Sequence, residues 1–133
     1  MNLFSLKKLI RLAVLISIIP LISAVNTFAA GPDGIVIGHS ACLSGKYAKA
    51  GEQAVGGIEA CVDWVNNEYG GVTLDGKKVP LKYKKYDCES KKENVTSLIG
   101  RLITVDKVDV VFAPYSSGLT LRGAPIAESH QML

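Results

Sequence analysis

The chain has 133 residues, 15 basic and 12 acidic side chains, a formal charge of +3 and a hydrophobic share of 48%. That length supports one small core, at the low end for an α/β domain. The excess charge is local: Lys7, Lys8 and Arg11 fall in residues 1–30, which hold no acidic residue, so residues 31–133 are neutral and offer no basic surface to a nucleic acid.

Residues 1–30 read as an export signal. A basic start is followed by an almost wholly apolar run from Leu12 to Val25, and Thr27, Ala29 and Ala30 put small residues at cleavage positions. The alternative is a retained anchor, since Leu12 to Ala30 is nearly long enough to span a bilayer; Pro20, Ser17, Ser23 and Asn26 weaken it. The expected location is therefore periplasmic or extracellular, with tethering by an uncleaved N-terminus as the variant. No cysteine closely follows the apolar run, which argues against a lipid-anchored start.

The remainder alternates strands and helices. Ile35 to Gly38 reads as a buried first strand. A loop from His39 to Ala50 leads to a helix over about 51–69, with Ala54, Ile58, Cys61, Val62 and Val65 on its apolar side and Gly70-Gly71 at its end. Asp75-Gly76 marks a small hairpin. Leu81 to Tyr86 alternates with lysines and reads as a second strand at or near an edge. Ser90-Lys91-Lys92-Glu93 has the pattern of a capping box before Val95, Leu98, Ile99, Leu102 and Ile103. The sequon at Asn94 falls inside that helix and is set aside. Val108 to Ala113 is a third strand, and a last helix covers about 118–129, bent or delayed by Pro125. His130 to Leu133 resembles the start of a fourth strand. The fold class expected is α/β: the beginning of a doubly wound parallel sheet, three strands and three helices.

The loop after the third strand, Pro114-Tyr115-Ser116-Ser117-Gly118-Leu119-Thr120, is the most informative stretch. A strand, a tight loop with hydroxyls and a helix start would aim the N–H groups of Ser117 to Thr120 at an anion, with a carboxylate as the expected ligand. Cys42 and Cys88 each follow a strand and are the candidate disulfide pair, whereas Cys61 reads as a small buried hydrophobe. No spacing of cysteines or histidines suggests a metal site, and no cofactor is implied. An enzyme is disfavoured because Ser116 and Ser117 lack a nucleophile elbow and the chain's histidines are His39 and His130. A nucleotide-binding fold lacks its phosphate loop, since Gly31-Pro32-Asp33-Gly34 precedes the first strand.

Taken in order, Ile37-Gly38-His39-Ser40-Ala41 with Leu43 to Ala48, Gly51-Glu52-Gln53 with Gly57, Val65-Asn66-Asn67 with Gly70-Gly71-Val72, Gly76 to Val79, Asp106 to Asp109, and Pro114 to Thr120 with Ala124 to Glu128 resemble the solute-binding proteins of ABC transporters, in particular binders of branched-chain amino acids, amides or urea. The resemblance implies two α/β lobes closing on a small ligand, an amino acid or amide, and delivery to a membrane permease. Residues 31–133 would then be the N-terminal part of the first lobe, the second lobe being absent. It also implies that Ser117 and Thr120 hold the ligand's α-carboxylate, that Ser116 and Gly118 shape the loop, and that Tyr47 either lines the side-chain pocket or packs. Two departures stand out. The family often has proline where Cys42 lies, and the bridge that leucine binders make from the position of Cys88 to the serine loop has no partner here, because Ser116 occupies that place. The readings kept beside transport are a receptor ectodomain of the same fold and a non-binding remnant.

Cleavage after residue 30 is expected to reduce the mass of 14.2 kDa to about 11 kDa. Intact-mass spectrometry of the exported protein checks this, and an unreduced mass would mean that the apolar segment is kept.

Overall fold

In a computed structural model of the protein, residues 33–133 are described. The export-signal reading falls on residues outside that range. The elements are β1 (Ile35–Ala41), a 3-10 turn (Gly45–Tyr47), α1 (Ala48–Tyr69), β2 (Val72–Leu74), β3 (Lys77–Val79), β4 (Leu81–Asp87), α2 (Lys92–Thr104), β5 (Val110–Phe112) and α3 (Ser117–Ser129).

β1, β4 and β5 form one parallel sheet in the order β4-β1-β5, with Ile35 opposite Leu81 and Ala41 opposite Asp87 on one side and Ile37 opposite Val110 on the other. The fold is thus α/β with three parallel strands and three helices, as expected. β4 lies at the edge, which its exposed Lys82, Lys84 and Lys85 suit. β2 and β3 are a separate hairpin, and Asp75 and Gly76 both take positive φ, of 48° and 77°, as a tight two-residue turn between twisted strands requires. Gly70 ends α1 in the left-handed conformation, with φ 67°. Asn66 ties α1 to the edge strand: its side-chain amide donates to the Leu81 carbonyl and accepts the Leu81 N–H, each at 2.8 Å.

The core lies under α2 and α3, where Val95, Ile99, Ile103 and Leu119 meet Cys42 and Cys88. Gly123 lets α3 approach Ile99 closely, and Gly51 lets the start of α1 sit against the Cys42 carbonyl. Pro125 does not delay the last helix, which begins eight residues earlier at Ser117. Beyond it the chain returns to the sheet, where the Val111 N–H donates to the Leu133 carbonyl at 2.8 Å, on the side expected for a fourth strand.

Two expectations are corrected. Cys61 is exposed, because α1 buries the line of Gly51, Val55 and Val62; the flank carrying Ala54, Ile58 and Cys61 borders an open apolar groove of about 270 Å³ with Ile37, Leu81 and Phe112. The capping box does not form. α2 begins at Lys92 with Lys91 as N-cap and no side-chain cap, while Ser90 has φ 57° and turns its hydroxyl to the loop after β1.

His39 is buried on β1, with its Nδ1 2.5 Å from the Tyr83 hydroxyl. Burial, with a smaller effect of the Glu59 charge, pushes the Tyr83 phenol up to about 12, so it stays protonated beside the imidazole. Burial holds His39 below its ordinary value; the Ala113 backbone bond opposes this and the Lys85 charge adds to it. The unfolded chain therefore binds a proton before the folded one does. The stability that neutral His39 contributes is present above about pH 6.5 and is lost as pH falls through the folded value. His39→Gln is expected to flatten that limb of a stability-against-pH curve measured by urea unfolding. In the same assay Gly51→Ala should cost about 1–3 kcal/mol. Gly56→Ala, with open space around it, should gain about 0.5–1 kcal/mol.

Candidate functional site

The strand order reverses between β1 and β5, because the chain leaves β1 toward β4 and later returns to the other side of β1. In an open α/β sheet the carboxyl ends at such a reversal diverge and leave a crevice. Three loops meet there: residues 42–47 after β1, 88–91 after β4, and 113–116 after β5.

The first two are locked together by one carboxylate. Asp87 Oδ1, at the end of β4, accepts the N–H groups of Leu43 at 2.9 Å, Ser44 at 3.2 Å and Glu89 at 2.8 Å. Desolvation pushes its carboxyl up, but the Ser44 hydroxyl and the N–H donors of Glu89, Leu43 and Ser44 outweigh that, so it titrates below the usual carboxylate range. Ser90 adds a second tie, its hydroxyl donating to the Ser44 carbonyl at 2.7 Å and accepting the Tyr47 N–H at 3.1 Å. Sequence reasoning passes over Asp87 and assigns Ser90 to a helix cap instead. An acidic residue at a strand end before a tight turn was the available signal for Asp87.

The third loop enters α3 through Ser116, whose φ of 96° is unusual for a residue with a side chain. Its carbonyl accepts the N–H groups of Leu119 at 3.0 Å and Thr120 at 2.9 Å. The expectation that Ser117 to Thr120 all present free donors is therefore narrowed. Ser117 and Gly118, both exposed in the first turn, have N–H groups with no acceptor among the described residues. The Thr120 hydroxyl donates to the Pro114 carbonyl at 3.0 Å, closing the loop on itself. No acidic side chain occupies the first turn of α3, so nothing of the helix's own competes for its positive end.

Tyr47 reaches this loop. Its ring lies 6.0 Å from that of Tyr115 and packs partly against the core, while Lys46 Nζ lies 5.2 Å from the Tyr47 ring centre. The nearby Ser116 hydroxyl, with the Lys46 charge, holds the Tyr47 phenol below its ordinary value. Tyr47, Ser116, Ser117, Gly118 and Thr120 thus share one end of the sheet. The Tyr47 ring packs against the core while its oxygen lies at the loop. Cys42 and Cys88 lie just beneath, both fully buried, with Sγ atoms 3.4 Å apart and unbonded.

Replacing Asp87 by Ala leaves three N–H donors without their acceptor, and is expected to destabilise by roughly 1.5–3 kcal/mol. Asp87→Asn keeps an oxygen in place and should lose less. Thermal unfolding followed by circular dichroism separates the two. The carboxylate's contribution is present above about pH 4 and is lost as pH falls through its depressed folded value, so the gap between wild type and Asp87→Ala should close in acid.

The family model for periplasmic binding proteins matches residues 34–133. Among solved structures, the branched-chain amino acid transporter substrate-binding protein LivJ of Streptococcus pneumoniae, in complex with isoleucine, is 28% identical with a TM-score of 0.66; the match covers 74% of this chain and 27% of that one. The leucine-binding protein LivK of Thermotoga maritima is 22% identical with a TM-score of 0.62, over 74% of this chain and 26% of that one. An ABC transporter structure from Rhodopseudomonas palustris is 21% identical with a TM-score of 0.60, over 75% and 28%. The chain spans about a quarter of the length of these proteins. With three quarters of its residues matched by the family model, the chain belongs to the periplasmic binding protein family.

Proposed function

We propose that the chain supplies part of an exported solute-binding protein that captures a small carboxylate-bearing ligand, an amino acid or amide, and presents it to the membrane permease of an ABC transporter. The observation that carries this reading is the pair of unpartnered N–H donors at Ser117 and Gly118, set at the sheet's reversal point opposite Tyr47. The S. pneumoniae protein, crystallised with isoleucine, supports the ligand class. The role in this reading is binding without catalysis, in keeping with the binding proteins that the chain is similar to.

Donors without a full charge suit an α-carboxylate. Each charge-assisted bond contributes roughly 1.5–3 kcal/mol, enough to orient the ligand by its acid end. Recognition of the ammonium and closure of the cleft fall to the opposing lobe that the two-lobed family architecture implies. A single face holds a small ligand weakly, because the loss of translational freedom offsets most of two hydrogen bonds.

The chain by itself is accordingly expected to show no submillimolar affinity for leucine, isoleucine or valine by calorimetry, and micromolar binding would overturn the half-clamp reading. Amide NMR shifts during a titration to tens of millimolar leucine should concentrate at Ser116, Ser117, Gly118 and Tyr47, and leucinamide, which lacks the carboxylate, should leave them unmoved. Shifts of equal size with both compounds would sink the carboxylate assignment.

A further inference from the structure

Cys42 and Cys88 follow directly on strands paired in parallel, and the pairing of Ala41 with Asp87 carries on to place the two cysteines opposite one another. The Cys88 N–H donates to the Ala41 carbonyl at 2.7 Å, so the backbones are still at sheet spacing where the cysteines begin. Neighbouring strands lie about 4.8 Å apart, inside the Cα separation that a disulfide accepts. The Sγ atoms are already 3.4 Å apart, and both residues are 0% exposed in the core. Each sulfur has to move by under about 1 Å to reach bonding distance. No third thiol competes at this place, since Cys61 is exposed on α1.

We propose that Cys42 and Cys88 close into an intramolecular disulfide when the protein folds in an oxidising compartment, and that this bond fixes the floor of the carboxyl-end crevice. Two S–H bonds break and one S–S bond forms. The two electrons and two protons pass to an acceptor disulfide, such as oxidised glutathione or the active-site disulfide of a thiol oxidase, which is reduced to two thiols.

The bond would join the loop after β1 to the loop after β4, across a sequence separation of 46 residues. It also bears on the third loop, because Cys42 Sγ lies 3.6 Å from the Tyr115 carbonyl oxygen, one residue before Ser116. The order of events follows from burial. Desolvation, then the bond to Cys88 and the mutual charge effect, push the Cys42 thiol up to about 12, so the folded, reduced protein presents almost no thiolate for exchange. The bridge therefore forms while the core is still open, and the finished bond is shielded from reductants.

The experiment folds the full chain in a glutathione redox buffer, confirms a cooperative thermal transition, alkylates after unfolding without reduction, and maps the peptides. The expected result is alkylation at Cys61 alone, a Cys42–Cys88 cross-linked peptide, and the same bridge in Cys61→Ser. The melting temperature should fall by on the order of 10 °C when the bridge is reduced or when both residues are replaced in Cys42→Ala/Cys88→Ala. Alkylated Cys42 and Cys88 in the cooperatively folded protein, or a bridge from either to Cys61, overturns the proposal. Neither result depends on whether the chain binds an amino acid.

Discussion

β1 is hydrogen-bonded on both sides, to β4 from Ile35 to Ala41 and to β5 from Ile37 to His39. This double pairing is the constraint from which the rest of the architecture follows. A strand with two parallel neighbours has to be buried on both faces, which accounts for the run Ile35-Val36-Ile37-Gly38 and for the buried residues from Gly38 to Ala41. Parallel neighbours also force every connection to cross over, so all three strand ends, and the loops that leave them, gather at the same side. The crevice comes from chain topology before any side chain is chosen. Gly38 has a local part in this, because a Cβ there would press on Val108, just before β5, and on Leu102 of α2.

Once the loops are gathered, their polar groups have to be satisfied without water. The loop after β1 is short and partly buried, and its N–H groups at Leu43 and Ser44 go to Asp87 instead of to a further strand. Asp106 and Lys84 make the comparable contact at the other end of the sheet, at 2.6 Å, but Lys84 is well exposed and that pair adds little. The difference lies in the donors. Asp87 bonds to fixed backbone groups that carry no rotamer entropy, whereas Lys84 gives up a long, free side chain to reach Asp106.

Much of this was legible in the sequence, because the signals were local. The order of elements, the edge position of β4, the Asp75-Gly76 turn, the Gly70 helix end and the meeting of Cys42 with Cys88 follow from periodicity, turn chemistry and strand ends. What was not legible depends on distant partners. Ser90 has the spacing of a capping residue, yet a left-handed backbone and the nearby Ser44 carbonyl and Tyr47 N–H take its hydroxyl elsewhere. Cys61 fits an apolar stripe, but which side of a broad stripe meets the sheet depends on the line of closest approach, here set by Gly51 under the Cys42 carbonyl. The serine loop was read correctly as a helix start. The number of free donors was overestimated, because the Ser116 carbonyl turns back to cap Leu119 and Thr120.

The count of free donors sets what the proposed site selects. With Leu119 and Thr120 engaged, the end of α3 offers two adjacent N–H groups instead of four, a number that suits the two oxygens of one carboxylate. The unusual backbone of Ser116 maintains this reduced set, costing on the order of 1–3 kcal/mol that the surrounding contacts offset. Those contacts are the Tyr47 phenol on its side chain and the two helix N–H groups on its carbonyl. Tyr47 is in turn held by Ser90 and the core. The selectivity proposed for the acid end of a ligand thus has a structural basis in fixed contacts that run from the sheet edge, through Asp87 and Ser90, to the two donors left free.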